Sequence, residues 1–401
     1  MYKRNFYIDK IKPFIGKPVI KVLTGMRRVG KSSLLKLLIE EISLNKPEKD
    51  LILYINMESL QWNNIKNEKD LYDLVMAKYN KQGQMLTLFI DEVQEIENWE
   101  KAVNSFLSDK IADIYITGSN AHLLSSELAT LLSGRYIQFP VYSLSISEYK
   151  LFRKKQEINE ELFLEYLKFG GLPGIHHGDI TDEVVSQYLS SIFDTILLRD
   201  VIAKNKIRNI ALLEKIVLFL LNNIGNIFSA KKVSDFLKKE QRNIGVETVY
   251  NYLKYLEEAF LIFKVPRYDI KGKKFLEVSE KYFLGDIGLK YARVGYDQND
   301  INAILENTVF LELKRRGYTV FIGKLDDKVI DFIAEKKGKK IYIQVCYLLA
   351  TDDVVKREFS VLQKVKDNYP KYVISLDRFW SGNVEGIIRM NIQDFLQKED
   401  W

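Results

Sequence analysis

The stretch Gly25-Met-Arg-Arg-Val-Gly30-Lys31-Ser32 fills the spacing GxxxxGK[ST] between an apolar run, Val19 to Thr24, and a helical one, Ser33 to Ile42. Strand, tight loop and helix in that order wrap backbone N–H groups around a polyphosphate and aim a helix N-terminus at it. The unit commits the surrounding chain to an α/β architecture. Lys31 is expected to reach the β- and γ-phosphates and the Ser32 hydroxyl to sit on Mg²⁺. Gly25, Arg27, Arg28, Val29, Gly30 and Ser33 complete the expected nucleotide-phosphate cradle.

Further strand-like runs, Leu51 to Ile55, Met85 to Ile90 and Ile111 to Ile116, alternate with helical or loop stretches. That alternation predicts a parallel sheet covered on both faces. The run Met85 to Ile90 delivers Asp91 and Glu92 at its C-terminal end, where ligands of open α/β sheets bind. Asp91 is expected to hold Mg²⁺ through its water shell and Glu92 to polarise an attacking water. Thr117-Gly-Ser119-Asn120 follows the next strand. Asn120, with Ser119 second, suits a sensor between that water and the γ-phosphate, and the same residues suit the cap of a helix from Ala121 to Leu132. Arg135 reads equally as an arginine finger and as a surface arginine after a glycine-terminated helix.

Composition narrows the class. The 401 residues, 47% hydrophobic and 28% charged, suit a folded chain of two to four domains. No apolar run approaches the roughly 18 to 20 residues of a membrane span, and the first residues lack a signal-peptide core; the expected compartment is the cytoplasm, with no membrane partner. A single cysteine, Cys346, excludes an internal disulfide and a cysteine-built zinc site. The net charge of +6 permits nucleic-acid contact without requiring it.

The phosphate loop with Ser33-Leu-Leu, the run Phe89-Ile-Asp-Glu-Val-Gln94 with Trp99, Ile116 to Asn120, Ser133-Gly-Arg135-Tyr and Pro140 to Glu148-Tyr together resemble the bacterial and archaeal AAA-type ATPases that carry a C-terminal domain of the DUF4143 kind. The resemblance covers essentially the whole chain. It implies ATP binding and hydrolysis on an AAA/ASCE sheet, with Asp91 and Glu92 as the second motif, Asn120 as sensor and Arg135 as finger.

The expected organisation is a P-loop domain over residues 1–145, a helical lid or connector over 146–210, a winged-helix-like segment over 211–276 and a PD-(D/E)xK nuclease-like α/β domain over 277–401. Within the connector, Phe169-Gly-Gly-Leu-Pro-Gly174 breaks the helical pattern and reads as a hinge, a lid or a plain loop. The winged-helix outline comes from helices at Ala230 to Lys238 and Val246 to Phe260, then β-rich Leu261 to Tyr268 and a Lys-Gly-Lys-Lys turn at 271–274. The outer face of the second helix (Glu247, Thr248, Asn251, Lys254, Glu257) is mixed in charge, so DNA and a protein partner both stay open. In the last segment Glu306 and Asp331 stand where nuclease acids would, but Gln344-Val-Cys346 replaces Glu-x-Lys. The expected residue of that site is a vestigial metal set of Glu306, Asp331 and Gln344. The predicted function is Mg²⁺-dependent ATP hydrolysis that repositions the downstream segments. The alternatives are a slow nucleotide-gated switch binding DNA or a protein, and a metal-dependent DNA nuclease. A finger acting in trans would require a homo-oligomer.

Overall fold

The computed structural model describes residues 2–45, 51–121, 132, 134–177, 181–239, 245–378 and 382–398. The chain divides into two compact units, residues 1–142 with 258–260, and residues 143–257 with 261–401.

The first unit is built on β1 (Ile20–Thr24), β2 (Ile52–Asn56), β3 (Leu86–Asp91), β4 (Ala112–Gly118) and β5 (Tyr136–Pro140), in the order β2-β3-β4-β1-β5. Every pairing is parallel. All residues of β1, β3 and β4 are buried, as a sheet with both faces covered demands. Its helices are α1 (Asn5–Ile11), α2 (Lys31–Asn45), α3 (Glu68–Gln82) and α4 (Trp99–Ser108). Helix α3 starts at a reciprocal Asn67 and Asp70 capping box and stops at Gly83 in the left-handed region. Trp99, Val103 and Phe106 of α4 join Leu88, Ile90 and Ile114 in one apolar core. The four predicted strands are present within one or two residues of their expected ends. The edge strand β5 was not foreseen: it is mostly half-buried and closes on Pro140, so its apolar signal is weak.

The strand order fixes the site. β4 lies between β1, which leads into the phosphate loop, and β3, which ends in Asp91. The C-terminal ends of all three converge on one edge, so residues after β4 reach both motifs.

The second unit opens with helices Ile146–Phe152, Glu160–Phe169 and Asp182–Thr195, the last continuing into a π-helical segment, Ile196–Ala203. Helices Ile210–Leu221, Ala230–Lys239 and Val246–Glu258 follow. An eight-stranded mixed sheet then forms from β6 (Ile262–Asp269), β7 (Lys274–Leu284), β8 (Thr319–Leu325), β9 (Lys328–Lys336), β10 (Lys339–Val345), β11 (Lys371–Ser375), β12 (Gly382–Val384) and β13 (Ile387–Asn391), in the order β12-β13-β11-β10-β9-β8-β6-β7. The hairpin read as a wing is therefore the end of this sheet, because β6 pairs with β8 through Arg267 to Asp269.

The Gly170-Gly171 stretch is a buried joint. The Asp286 carboxylate accepts hydrogen bonds from the Gly171 and Gly288 amides at 2.8 and 2.9 Å. A Cβ on Gly171 would stand 2.5 Å from the Leu144 carbonyl oxygen, and Gly170 has φ +73°, so neither position admits a side chain without rearrangement. Of the helix expected from Ala121 to Leu132, residues 122–131 lie outside the described residues.

Candidate active site

Backbone conformation shapes the phosphate loop. Gly25 has φ +149° and its Cβ would meet the Val141 carbonyl oxygen at 2.1 Å, so only glycine fits there. Gly30 (φ 96°) and Arg28 (φ 68°) complete the turn before α2. Lys31 is buried at the start of α2, and its ammonium donates to the loop's own carbonyls at Gly25 and Met26, 3.0 and 3.1 Å away. It lies inside the cradle it is expected to serve. Ser32 is half-buried; Arg28 and Ser33 are exposed; Arg27 is buried and reaches Glu58 at 3.3 Å; Val29 is fully buried.

The acidic motif sits beside this loop. Lys31 Nζ is 3.8 Å from Glu92 Oε1, the contact that joins the two motifs. Glu92 adopts the left-handed conformation, φ 57° and ψ 54°. Its other oxygen, Oε2, accepts from Ser119 Oγ at 3.0 Å and from the Gln94 amide. Burial acts to raise the Glu92 pKa; the Lys31 ammonium, the Gln94 amide, Arg27 and the Ser119 hydroxyl outweigh it and hold the carboxyl below the ordinary glutamate value. Glu92 is thus ionised, as a base must be.

Asp91 is oriented from both neighbouring strands. The Thr117 hydroxyl of β4 donates to its Oδ1 at 2.5 Å and accepts the Glu92 amide at 2.9 Å, while the Tyr54 hydroxyl of β2 donates to Oδ2 at 3.0 Å. Ser119 makes the direct contact with Glu92; Asn120, the first choice as sensor, is buried next to it. Tyr54, Thr117 and Gln94 had no role assigned from sequence. Thr117, a polar residue near the end of the apolar run of β4, left a signal that could have found it, whereas Tyr54 lies inside the apolar run of β2.

Arg4 was also unforeseen. Buried behind the loop, it donates to the carbonyls of Val29 (2.9 Å) and Tyr142 (3.0 Å), and the Tyr142 amide donates to the Tyr7 hydroxyl. Helix α1 thereby fastens the loop to the end of β5.

Arg135 lies elsewhere. It precedes Tyr136, which pairs with Ile20 at the start of β1, whereas the loop follows Thr24 at that strand's other end. Exposed and bonded to Ser108 at 3.2 Å, it stands at the opposite edge of the sheet and does not reach this chain's own loop.

The residues present suit ATP and Mg²⁺: a cradle of amides, an ammonium, a hydroxyl at Ser32 and a carboxylate at Asp91 on one edge. The vestigial set is different. Glu306 and Asp331 do come together, but around the ammonium of Lys281. Among the described residues, no group of three or more His, Cys, Asp or Glu could hold a metal ion. His176 packs against the rings of Tyr149 and Phe152. No helix among the described residues is long and apolar enough to cross a membrane.

Comparison with known proteins agrees with the geometry. A family model described as an AAA domain matches residues 17–150. An uncharacterized protein of Haemophilus influenzae is 37% identical over 99% of this chain and 98% of its own length. The chain belongs to this AAA-domain family. An uncharacterized protein of Methanocaldococcus jannaschii, 33% identical over 94% of this chain and 85% of its own, is a second relative of the AAA-domain chain. Residues 160–300 match a domain of unknown function, DUF8612, where the resemblance had pointed to DUF4143. Among solved structures, Aeropyrum pernix Orc1 in complex with DNA covers 73% of the AAA-domain chain and 92% of its own, at 9% identity and a TM-score of 0.33. AMPPCP-bound DnaA from Aquifex aeolicus covers 54% and 67%, at 14% identity and a TM-score of 0.28. Likeness that low carries no argument about this chain.

Proposed function

We propose that the chain binds ATP with Mg²⁺ at Gly25 to Ser32 and hydrolyses it, using the change of nucleotide state to reposition the segments downstream. The observation that carries the reading is the 3.8 Å approach of Lys31 to a Glu92 whose second oxygen is held by Ser119. Lys31 leaves the Gly25 and Met26 carbonyls for the phosphates. Ser32 and Asp91 would hold Mg²⁺, which supplies charge neutralisation across the phosphate oxygens. Glu92 takes the proton of the attacking water; Asn120 positions the water, and Arg135 reaches a neighbouring copy's site from its exposed edge.

A second reading, a slow nucleotide-gated switch, rests on the same carboxylate. Glu92 is already engaged by Lys31, Gln94 and Ser119. A base so occupied turns over slowly until a partner frees it. In the segment read as winged-helix-like, Glu247, Asn251 and Lys254 are exposed and Lys271 is paired with Asp326, a face of mixed sign. DNA and a protein both fit such a face.

Steady-state ATP hydrolysis with and without double-stranded DNA separates the readings. Glu92→Gln is expected to lower turnover by at least about 100-fold while ATP still binds, and Lys31→Ala to abolish binding. Lys31→Ala hydrolysing at the parent rate would sink both. A Glu92-dependent rate that DNA stimulates favours the coupled motor; a slow rate indifferent to DNA favours the switch and turns the search to a protein partner.

A further inference from the structure

Between helix Ile301–Arg315 and strands β7, β9 and β10 lies a cavity of about 610 Å³ that the nucleotide chemistry does not use. Its lining includes Glu306, Asp331 and Glu358, residue types that by themselves suit a divalent cation. The partners of these acids argue otherwise. Lys281, 5% exposed on β7, places its ammonium 2.8 Å from Glu306 Oε2 and 3.3 Å from Asp331 Oδ1. The other Asp331 oxygen accepts the Val345 amide at 3.0 Å. Gln344 turns its carbonyl oxygen to the Asp331 amide (2.9 Å) and its NH₂ to Glu358 Oε2 (2.9 Å). The remaining Glu358 oxygen is held by Arg357 at 2.7 and 2.8 Å.

We propose that the Lys281 ammonium is a built-in cation occupying the place between Glu306 and Asp331 that a divalent ion would need, so that this pocket is closed to metal and the eight-stranded sheet supports no metal-dependent phosphodiester cleavage. Mg²⁺ sits about 2.0–2.1 Å from each ligand oxygen. An ion at that range from both carboxylates would overlap the ammonium nitrogen. The exchange also makes electrostatic sense: two nearby, largely buried carboxylates repel each other, and a tethered ammonium relieves this without drawing on dissolved metal. Burial and the Asp331 carboxylate push the Glu306 pKa up, and Lys281 opposes them. Burial and the surrounding acids push the Cys346 thiol up to about 12, so it offers no thiolate ligand in the place of the missing lysine.

The test uses Mn²⁺ as the probe on the full chain without nucleotide, in an Asp91→Asn background that removes the phosphate-loop metal site, read by electron paramagnetic resonance. With Lys281 in place, no tightly bound Mn²⁺ is expected. Lys281→Met should gain about one equivalent, which a further Asp331→Asn should remove. Mn²⁺ bound to the Lys281-containing chain and lost on Asp331→Asn would overturn the proposal, as would a folded Lys281→Met chain that takes up no Mn²⁺. Should Lys281→Met fail to fold, the unaltered side of the pocket still decides: Mn²⁺ is expected neither to raise the unfolding midpoint of the Asp91→Asn chain nor to support cleavage of double-stranded DNA. An effect of either kind that Asp331→Asn abolishes refutes the closed site.

Discussion

Glu92 is held in a backbone conformation that L-residues without special reason avoid, at a cost of about 1–2 kcal/mol. The geometry it secures is a carboxylate facing Lys31 with its other oxygen on Ser119. Replacing it by glycine relieves the strain and removes the base; urea denaturation is expected to show a chain as stable as the parent or more so, with ATP turnover lost. Arg4 acts at the same scale without touching nucleotide. Arg4→Ala frees the carbonyls of Val29 and Tyr142, two charge-assisted bonds each of about 1.5–3 kcal/mol. The expected result is a KM for ATP raised about tenfold with kcat changed far less, whereas equal loss in both would assign Arg4 a role in the chemical step. The loop and the Asp91-Glu92 pair were legible because their spacing is itself the chemistry. Arg4, Tyr54 and Thr117 were not, since each meets its partner only across the folded sheet, as Arg4 does with Tyr142.

Among the elements, the joint at Gly170-Gly171 makes two predictions. Gly171→Ala drives a methyl into the Leu144 backbone and is expected to destabilise by about 1–3 kcal/mol, measured by urea denaturation. A neutral result would mean that the joint yields, as a hinge should. Burial raises the pKa of Asp286, 1% exposed, from 3.8 to about 6 against the opposing pull of the Gly171 amide, Ser143, the Gly288 amide and Arg315. The folded form therefore holds that proton more tightly than the unfolded one, and the stability it contributes is full below pH 3.8 and lost as pH rises through about 6. The difference in unfolding free energy between the parent and Asp286→Asn should fall by roughly 2 kcal/mol from pH 4 to pH 7; a flat difference would exclude Asp286 as the titrating group. The elements themselves were largely readable, including the order of three helices and a hairpin between 210 and 284. What local pattern could not supply was the partner of that hairpin. Arg267 meets Ile322 from far along the chain, and only that pairing makes the hairpin part of the larger sheet.

At the scale of the whole molecule, the placement of Arg135 separates cis from trans. Arg135→Ala is expected to leave ATP affinity intact and to lower turnover only where copies meet. The measurement is specific activity against protein concentration for Arg135→Ala, Glu92→Gln and their mixture. Recovery in the mixture supports a shared site; activity proportional to concentration with no recovery would place Arg135 outside catalysis. In the same way, Gln344-Val-Cys346 announced a departure from nuclease chemistry, while the reason a metal is excluded, a lysine from β7, lay beyond the reach of any local motif.

A sheet with its phosphate loop at one rim and the exposed Arg135 at the other is polar, like an arrow. Copies that complete one another's sites can pair antiparallel about a two-fold, each loop against the other's arginine, or join head to tail. A closed ring gives each site its arginine, whereas an open stack always ends in one site that has none. Closure of the assembly would then govern how many of its bound nucleotides can be spent.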